Sequence, residues 1–253
     1  MKRIPLHLLL MGETKAGKDT FAATWPKPMM VWHMDGHGQD APYMKGAKEV
    51  GELQYYPLGN YTIEYRDIVA ADGGFIRIEY YSSDDPNFPQ VAQVLEMRMG
   101  AFVQEQAGWQ TLVVGSLSSA ALEGRYSEMH LNPQFKDPRK WYGAATEYVE
   151  RLVFWQKCLR INVIFTCHVG RDKDEVGGEF LFTPDLPGRL SYGAGRYFPE
   201  MYRLYIQRNP ETGEASRVLQ TDGDGRFQCG NHIDCDNPCY PHYESLWTKW
   251  DLM

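Results

Sequence analysis

The chain has 253 residues, 43% of them hydrophobic, and a formal net charge of -7. That is ample apolar material for one large α/β domain, and five cysteines, an odd set, make a disulfide framework an unneeded device. The acidic balance excludes an overall basic nucleic-acid binder while leaving room for a local basic surface. No apolar run approaches the roughly 18 to 20 residues of a membrane span or the pattern of a secretory signal, so a cytoplasmic protein with no membrane partner is expected.

Residues 4–11 form a short apolar run ending before Gly12, which predicts a buried parallel strand. A helix begins over 18–24, is interrupted by Trp25-Pro26-Lys27-Pro28, and gives way to a second apolar strand over 29–34 that ends at Asp35. Between 51 and 81 the pattern is mixed, with a clear alternation at 75–81, and 82–89 reads as a polar, proline-bearing loop. Helical spacing over 91–107 stops at Gly108, ahead of a buried strand at 111–114.

The stretch 124–140 is polar and proline-containing and reads as a loop, 144–159 as a helix, and 161–166 as a β-branched strand. A second long, glycine-rich loop follows at 170–195. Two further strands, 201–207 and 217–221, flank Asn209-Pro210-Glu211-Thr212-Gly213 as a hairpin. This alternation predicts an α/β class: a mostly parallel sheet with helices on both faces, extended by a C-terminal antiparallel hairpin.

Gly12-Glu13-Thr14-Lys15-Ala16-Gly17-Lys18 matches G-x-x-x-x-G-K and stands between a strand and a helix, where a phosphate-binding loop belongs. Glycines let the backbone curl so that successive amides point inward, and the following helix start adds positive potential. Lys18 supplies a mobile charge for the β- and γ-phosphates. The Ser/Thr that ordinarily ligates Mg2+ is replaced by Asp19, with Thr20 one position later. Either can approach the ion, and Asp19 would repel phosphate without an intervening cation.

Together with that loop, Met30-Val31-Trp32-His33-Met34-Asp35, Thr111-Leu112-Val113-Val114-Gly115-Ser116-Leu117 and Val163-Ile164-Phe165-Thr166-Cys167-His168 resemble the phage-encoded RecA-like P-loop ATPases of the single-strand annealing and recombination group. The resemblance runs from about residue 6 to 227. It implies a RecA-like P-loop NTPase core that binds ATP with Mg2+. It also implies a homo-oligomer with nucleotide between subunits, work on single-stranded DNA, a single-strand DNA-binding protein as a companion, and a host-cell cytoplasmic location. Asp35 is then the residue that positions water and His168 a sensor of the γ-phosphate, although Asp35-Gly36 also reads as a turn pair and His168 as a structural histidine. The family's V-V-D-S pattern puts an aspartate where this chain has Gly115, a second departure at the same ion.

The resemblance also maps the DNA-facing loops onto 124–142 and 170–196. There Arg125, Lys136, Arg139, Lys140, Arg171 and Arg189 stand among Trp141, Tyr142, Phe180 and Tyr192, a mixture that suits single strands. Asp137, Asp172, Asp174, Glu175 and Glu179 dilute the charge, so solvated loops are the competing reading. Cys229, His232, Cys235 and Cys239 offer enough ligands for Zn2+, yet their spacing is not that of a common zinc ribbon and the tail reads equally as a surface loop.

The expected organisation is a RecA-like ATP-binding domain over 1–228 and a Cys/His-containing tail over 229–253 packed on or near it. Two functions stay open: an ATPase acting in DNA recombination or annealing, and a catalytically weakened protein that keeps nucleotide as a structural or regulatory ligand. A kinase-like enzyme is less well supported, because no arginine-rich lid stands out.

Overall fold

The computed structural model describes residues 3–35, 41–59, 61–81, 91–173 and 180–249. The first apolar runs form β1 (His7–Gly12) and β2 (Met29–His33), joined through α1 (Lys18–Ala22). Helix α1 has only five residues, because the amides of Thr24 and Trp25 turn back onto Phe21 and Ala22 before Pro26 can continue it. The mixed stretch resolves into α2 (Ala41–Met44), β3 (Lys48–Glu49), β4 (Gln54–Leu58), β5 (Tyr61–Val69) and β6 (Phe75–Tyr80). The expected loop at 82–89 lies outside the described residues.

Next come α3 (Val91–Glu105), β7 (Thr111–Gly115), α4 (Leu117–Leu131), α5 (Pro138–Trp155) and β8 (Asn162–Cys167). The predicted loop over 124–140 is mostly helix. Ser116 caps α4 by accepting the amide of Ser119 at 3.3 Å, and Asp137, followed by Pro138, starts α5. Gly124 does not break α4: a Cβ there would fall 2.5 Å from Cδ1 of Tyr148, so the glycine marks the close crossing of α4 and α5. The predicted loop over 170–195 likewise contains β9 (Val169–Lys173), β10 (Phe180–Pro184) and α6 (Leu190–Gly193), with β9 and β10 paired antiparallel.

The last strands, β11 (Glu200–Arg208) and β12 (Ala215–Gln220), form the expected hairpin. Across the main sheet the order is β12-β11-β1-β8-β7-β2-β6-β5-β3, with β4 paired to β5. From β11 to β6 all neighbours are parallel, and antiparallel strands extend both edges. Strand β1 sits between β11 and β8, so the chain leaves it, skips β8 and β7, and returns as β2. That crossover opens a crevice at the carboxyl ends of these strands, where ligands of open α/β sheets bind. The result is a mostly parallel central sheet flanked by helices, with the Gly12–Thr20 loop at the end of its first strand.

The alternation of side chains divides the core in two. Leu9, Met11, Met30, Trp32, Val114 and Phe165 face α3, α4 and α5, whose Phe102, Leu117, Val149 and Leu152 complete that layer. Leu8, Leu10, Met29, Val31, Val113 and Ile164 face the other way. Helices were expected on both faces, and this second face is covered by Phe21 and Ala22 of α1, Tyr43 of α2 and the chain's own C-terminal segment, through Ile233, Cys235, Tyr243, Leu246 and Trp247. Trp25 and Tyr243 lie 5.0 Å apart between ring centroids, anchoring that segment on the end of α1.

Candidate functional site

The loop after β1 is curled by two residues in the left-handed region, Lys15 at φ 66° and Gly17 at φ 104°. The amide of Ala16 closes a turn on the Glu13 carbonyl at 3.1 Å, and that of Phe21 binds the Gly17 carbonyl at 3.0 Å. Gly12 is required by a backbone contact and Gly17 by its left-handed conformation, with a side chain packed against it. A Cβ on Gly12 would lie 2.7 Å from the Leu204 carbonyl oxygen, and one on Gly17 would lie 2.5 Å from Nε of Arg217.

Lys18 is 8% exposed, and its Nζ donates to the carbonyls of Gly12 at 2.8 Å and Glu13 at 3.2 Å. Burial lowers its pKa, while Asp19 beside it pulls the other way. The ammonium is thus held across the loop by two carbonyls that phosphate oxygens can replace.

A cavity of about 450 Å³ opens in front of this loop. Thr14, Lys15, Gly17, Lys18, Asp19 and Thr20 line one side, while Gly12, Glu13 and Ala16 shape the loop behind. Asp35 and His168, named from the sequence for catalysis, line the same cavity from the ends of β2 and β8. Asp35 accepts a short hydrogen bond from the hydroxyl of Ser119 in the first turn of α4. The amide of Met34 binds the Gly115 carbonyl at 2.7 Å, which ties the ends of β2 and β7 together. His168 donates its backbone amide to the Ser118 hydroxyl at 3.1 Å, and its carbonyl accepts from Asp185 at 2.9 Å.

Four lining residues escaped the sequence reading: His33, Pro42, Thr166 and Arg217. Arg217 comes from β12, 201 positions away from Ala16, whose carbonyl accepts from its Nε at 3.0 Å. No local pattern marks it; only the pairing of β12 with β11, and of β11 with β1, carries it to the loop. His33 is 3% exposed, and among the described residues neither ring nitrogen has a hydrogen-bond partner. The signal that could have found it was an ionisable residue in an otherwise apolar strand of five buried positions. Burial raises the pKa of Asp19, with the charges of His33 and Lys18 opposing that shift.

With five residues α1 sums few peptide dipoles, and the charged side chains of Lys18 and Arg217 stand beside its start in the cavity lining.

The six basic residues expected to meet DNA are spread over several elements. Arg125 on α4 donates to the Tyr142 hydroxyl at 3.0 Å, and both line a second cavity of about 430 Å³ that His168 also borders. Arg139 pairs with Asp137 at 2.7 Å and Arg189 with Glu150 at 2.8 Å, which satisfies those two guanidinium groups within the chain. Lys140 lies 4.5 Å from the centre of the Phe135 ring and Arg171 3.5 Å from that of Phe180, while Lys136 is exposed between α4 and α5. Asp174, Glu175 and Glu179 lie outside the described residues, as does Gly36 of the expected turn pair.

The proposed zinc ligands do not converge. Cys229 is half-buried beside Arg203, its thiol pushed up to about 12 by desolvation. His232 Nδ1 meets the Pro199 carbonyl at 2.5 Å, and Cys235 Sγ faces the Tyr202 hydroxyl at 3.7 Å. Cys239 pairs through its backbone with Leu219. Among the described residues no three His, Cys, Asp or Glu side chains are grouped to hold a metal. Cys235 and Cys239 pack instead into the core layer that the C-terminal segment covers.

No helix of the described residues is long and apolar enough to cross a membrane. No family model matches the chain, and no curated protein does. Among solved structures, it is similar to a KaiC-like protein of the archaeon Pyrococcus horikoshii OT3, with 17% identity over 86% of this chain and 78% of that one, at a TM-score of 0.42. It is also similar to an ATPase of the type III secretion system of pathogenic bacteria, with 11% identity over 79% of this chain and 51% of that one, at a TM-score of 0.43. The strand order and the loop of this chain itself define its fold.

Proposed function

We propose that this chain binds ATP in the cavity before the Gly12–Thr20 loop and hydrolyses it in support of single-stranded DNA binding, in recombination or annealing. The observation that carries the nucleotide reading is the convergence on one cavity of the curled loop, the buried Lys18 and two residues from neighbouring strand ends, Asp35 and His168. A cavity of about 450 Å³ is within the range of small-molecule sites. Lys18 exchanges its two carbonyl partners for phosphate oxygens, and Arg217 adds a second cation at the loop. Asp35, held by Ser119, faces the space where an attacking water must stand. Mg2+, when bound, neutralises charge developing between the β- and γ-phosphates.

Support for coupling to a polymer comes from His168, which borders both the loop cavity and the one lined by Arg125 and Tyr142. A side chain shared by two cavities links the state of one to the shape of the other, and an arginine beside a tyrosine face suits a nucleobase and its phosphate. In this reading the protein is a homo-oligomer with nucleotide between subunits, working alongside a single-strand DNA-binding protein in a phage-infected cytoplasm.

Gly115 favours a second reading, in which nucleotide is kept without useful turnover as a structural or regulatory ligand, since β7 ends without a carboxylate. Two measurements test these readings. Single-stranded DNA binding with ATP, with ADP and without nucleotide is compared for the wild type and Lys18→Ala. Tighter binding with ATP that Lys18→Ala abolishes is expected, and indifference to both refutes the coupled mechanism. Mg2+-dependent phosphate release then separates the ATPase from the regulatory form.

A further inference from the structure

The absent side chain at Gly115 leaves a space at the end of β7, and a neighbouring element fills it. A Cβ built on Gly115 would lie 3.9 Å from Oδ1 of Asp19 and 3.3 Å from Oγ1 of Thr166. The Asp19 carboxylate thus reaches from the start of α1 into the volume that a carboxylate on β7 would enter. Beside it, from the end of β2, stands His33, 3% exposed, with both ring nitrogens lacking partners among the described residues. Both side chains line the loop cavity. A buried imidazole with two unsatisfied nitrogens is costly unless something else engages it.

We propose that the divalent-cation site of this protein has been moved from β7 to α1: Asp19 supplies the carboxylate that Gly115 lacks, and His33 holds a water of the same ion. The two departures from the expected sequence pattern, Asp19 for Ser/Thr and Gly115 for Asp, then form one exchange that conserves the number of carboxylates. Mg2+ takes oxygen ligands and keeps several waters, which suits one direct carboxylate and an imidazole acting through the water shell. The exchange also explains how a carboxylate beside Lys18 is tolerated near a triphosphate: the ion stands between them. This inference rests on the nucleotide reading above.

The test is ATP affinity measured by calorimetry with Mn2+ and with EDTA, together with the electron paramagnetic resonance signal of the bound Mn2+. The wild type is expected to bind ATP at least tenfold more tightly with Mn2+, and Asp19→Asn to lose that gain while binding ATP more tightly than the wild type in EDTA, because the repelling charge is gone. Asp19→Ser combined with Gly115→Asp, which returns the carboxylate to β7, is expected to recover it. His33→Ala is expected to alter the Mn2+ signal and to diminish the Mn2+ gain. Full Mn2+ gain in Asp19→Asn overturns the relocation alone, and this near-isosteric variant decides the matter if the double variant does not fold. A wild type that ignores ATP with and without Mn2+ overturns the nucleotide reading and the relocation with it.

Discussion

Replacing Arg217 with alanine removes a cation that reaches the phosphate loop only through the C-terminal hairpin. Its Nε donates to the Ala16 carbonyl at 3.0 Å, and its guanidinium covers Gly17 so closely that a Cβ there would lie 2.5 Å from the same nitrogen. Two unit charges about 4 Å apart attract by about 4 kcal/mol at an effective dielectric of about 20. Arg217 is exposed, so desolvation, screening and the ordering of a long side chain bring the net contribution to about 1.5 kcal/mol, the low end for a charged hydrogen bond. The dissociation constant for ATP should therefore rise roughly tenfold in Arg217→Ala. Arg217→Lys, which keeps the charge and loses the fork, should fall between. Titration calorimetry at two salt concentrations measures both, and the deficit should shrink as salt rises. The melting temperature should stay near that of the wild type. An ATP affinity within twofold of the wild type, with the hairpin intact, refutes the role given to this arginine.

Arg98, 3% exposed, donates to both carboxylate oxygens of the fully buried Glu79, so Arg98→Ala strands that carboxylate. The expected loss is about 3–5 kcal/mol in urea unfolding, and a loss under 1 kcal/mol refutes the pairing's importance. Gly124→Val drives a side chain into the Tyr148 ring at the crossing of α4 and α5, and should cost roughly 1–3 kcal/mol by the same assay; an unchanged midpoint speaks against that crossing. Burial raises the folded-state pKa of Asp19, so between the unfolded carboxyl value and that raised value the folded protein carries the extra proton. Without nucleotide or divalent ion, stability should accordingly fall as pH rises through that window. Asp19→Asn should remove this part of the slope, and an identical pH profile in the two proteins contradicts the burial described here.

How much of this molecule is legible in its sequence differs from element to element. Residues whose neighbours in the chain are also their partners in space could be read directly. The apolar runs that became β1, β2, β7 and β8 announce buried parallel strands, and Gly12 to Thr20 announces its loop because the curl and the lysine are local features. Asp35 and His168 could be placed because each follows directly from such a strand. Gly124 could not, since a glycine in a polar stretch looks like a turn until Tyr148 is seen against it. The pattern of cysteines and histidine near the C-terminus suggested a metal, and only the path of that segment across the sheet separates them.

Arg217 and His33 mark the limit most clearly. The first acts on a loop 201 positions away through strand pairing, and the second matters because the fold buries its ring without a hydrogen-bond partner at the edge of a cavity. The sequence determines the phosphate loop and the alternation that makes a parallel sheet, because hydrophobic period and glycine conformation act over a few residues. Tertiary structure alone decides what surrounds that loop, including the meeting of Asp19 with the gap at Gly115. Those contacts depend on the order of strands in the sheet, which no local pattern specifies.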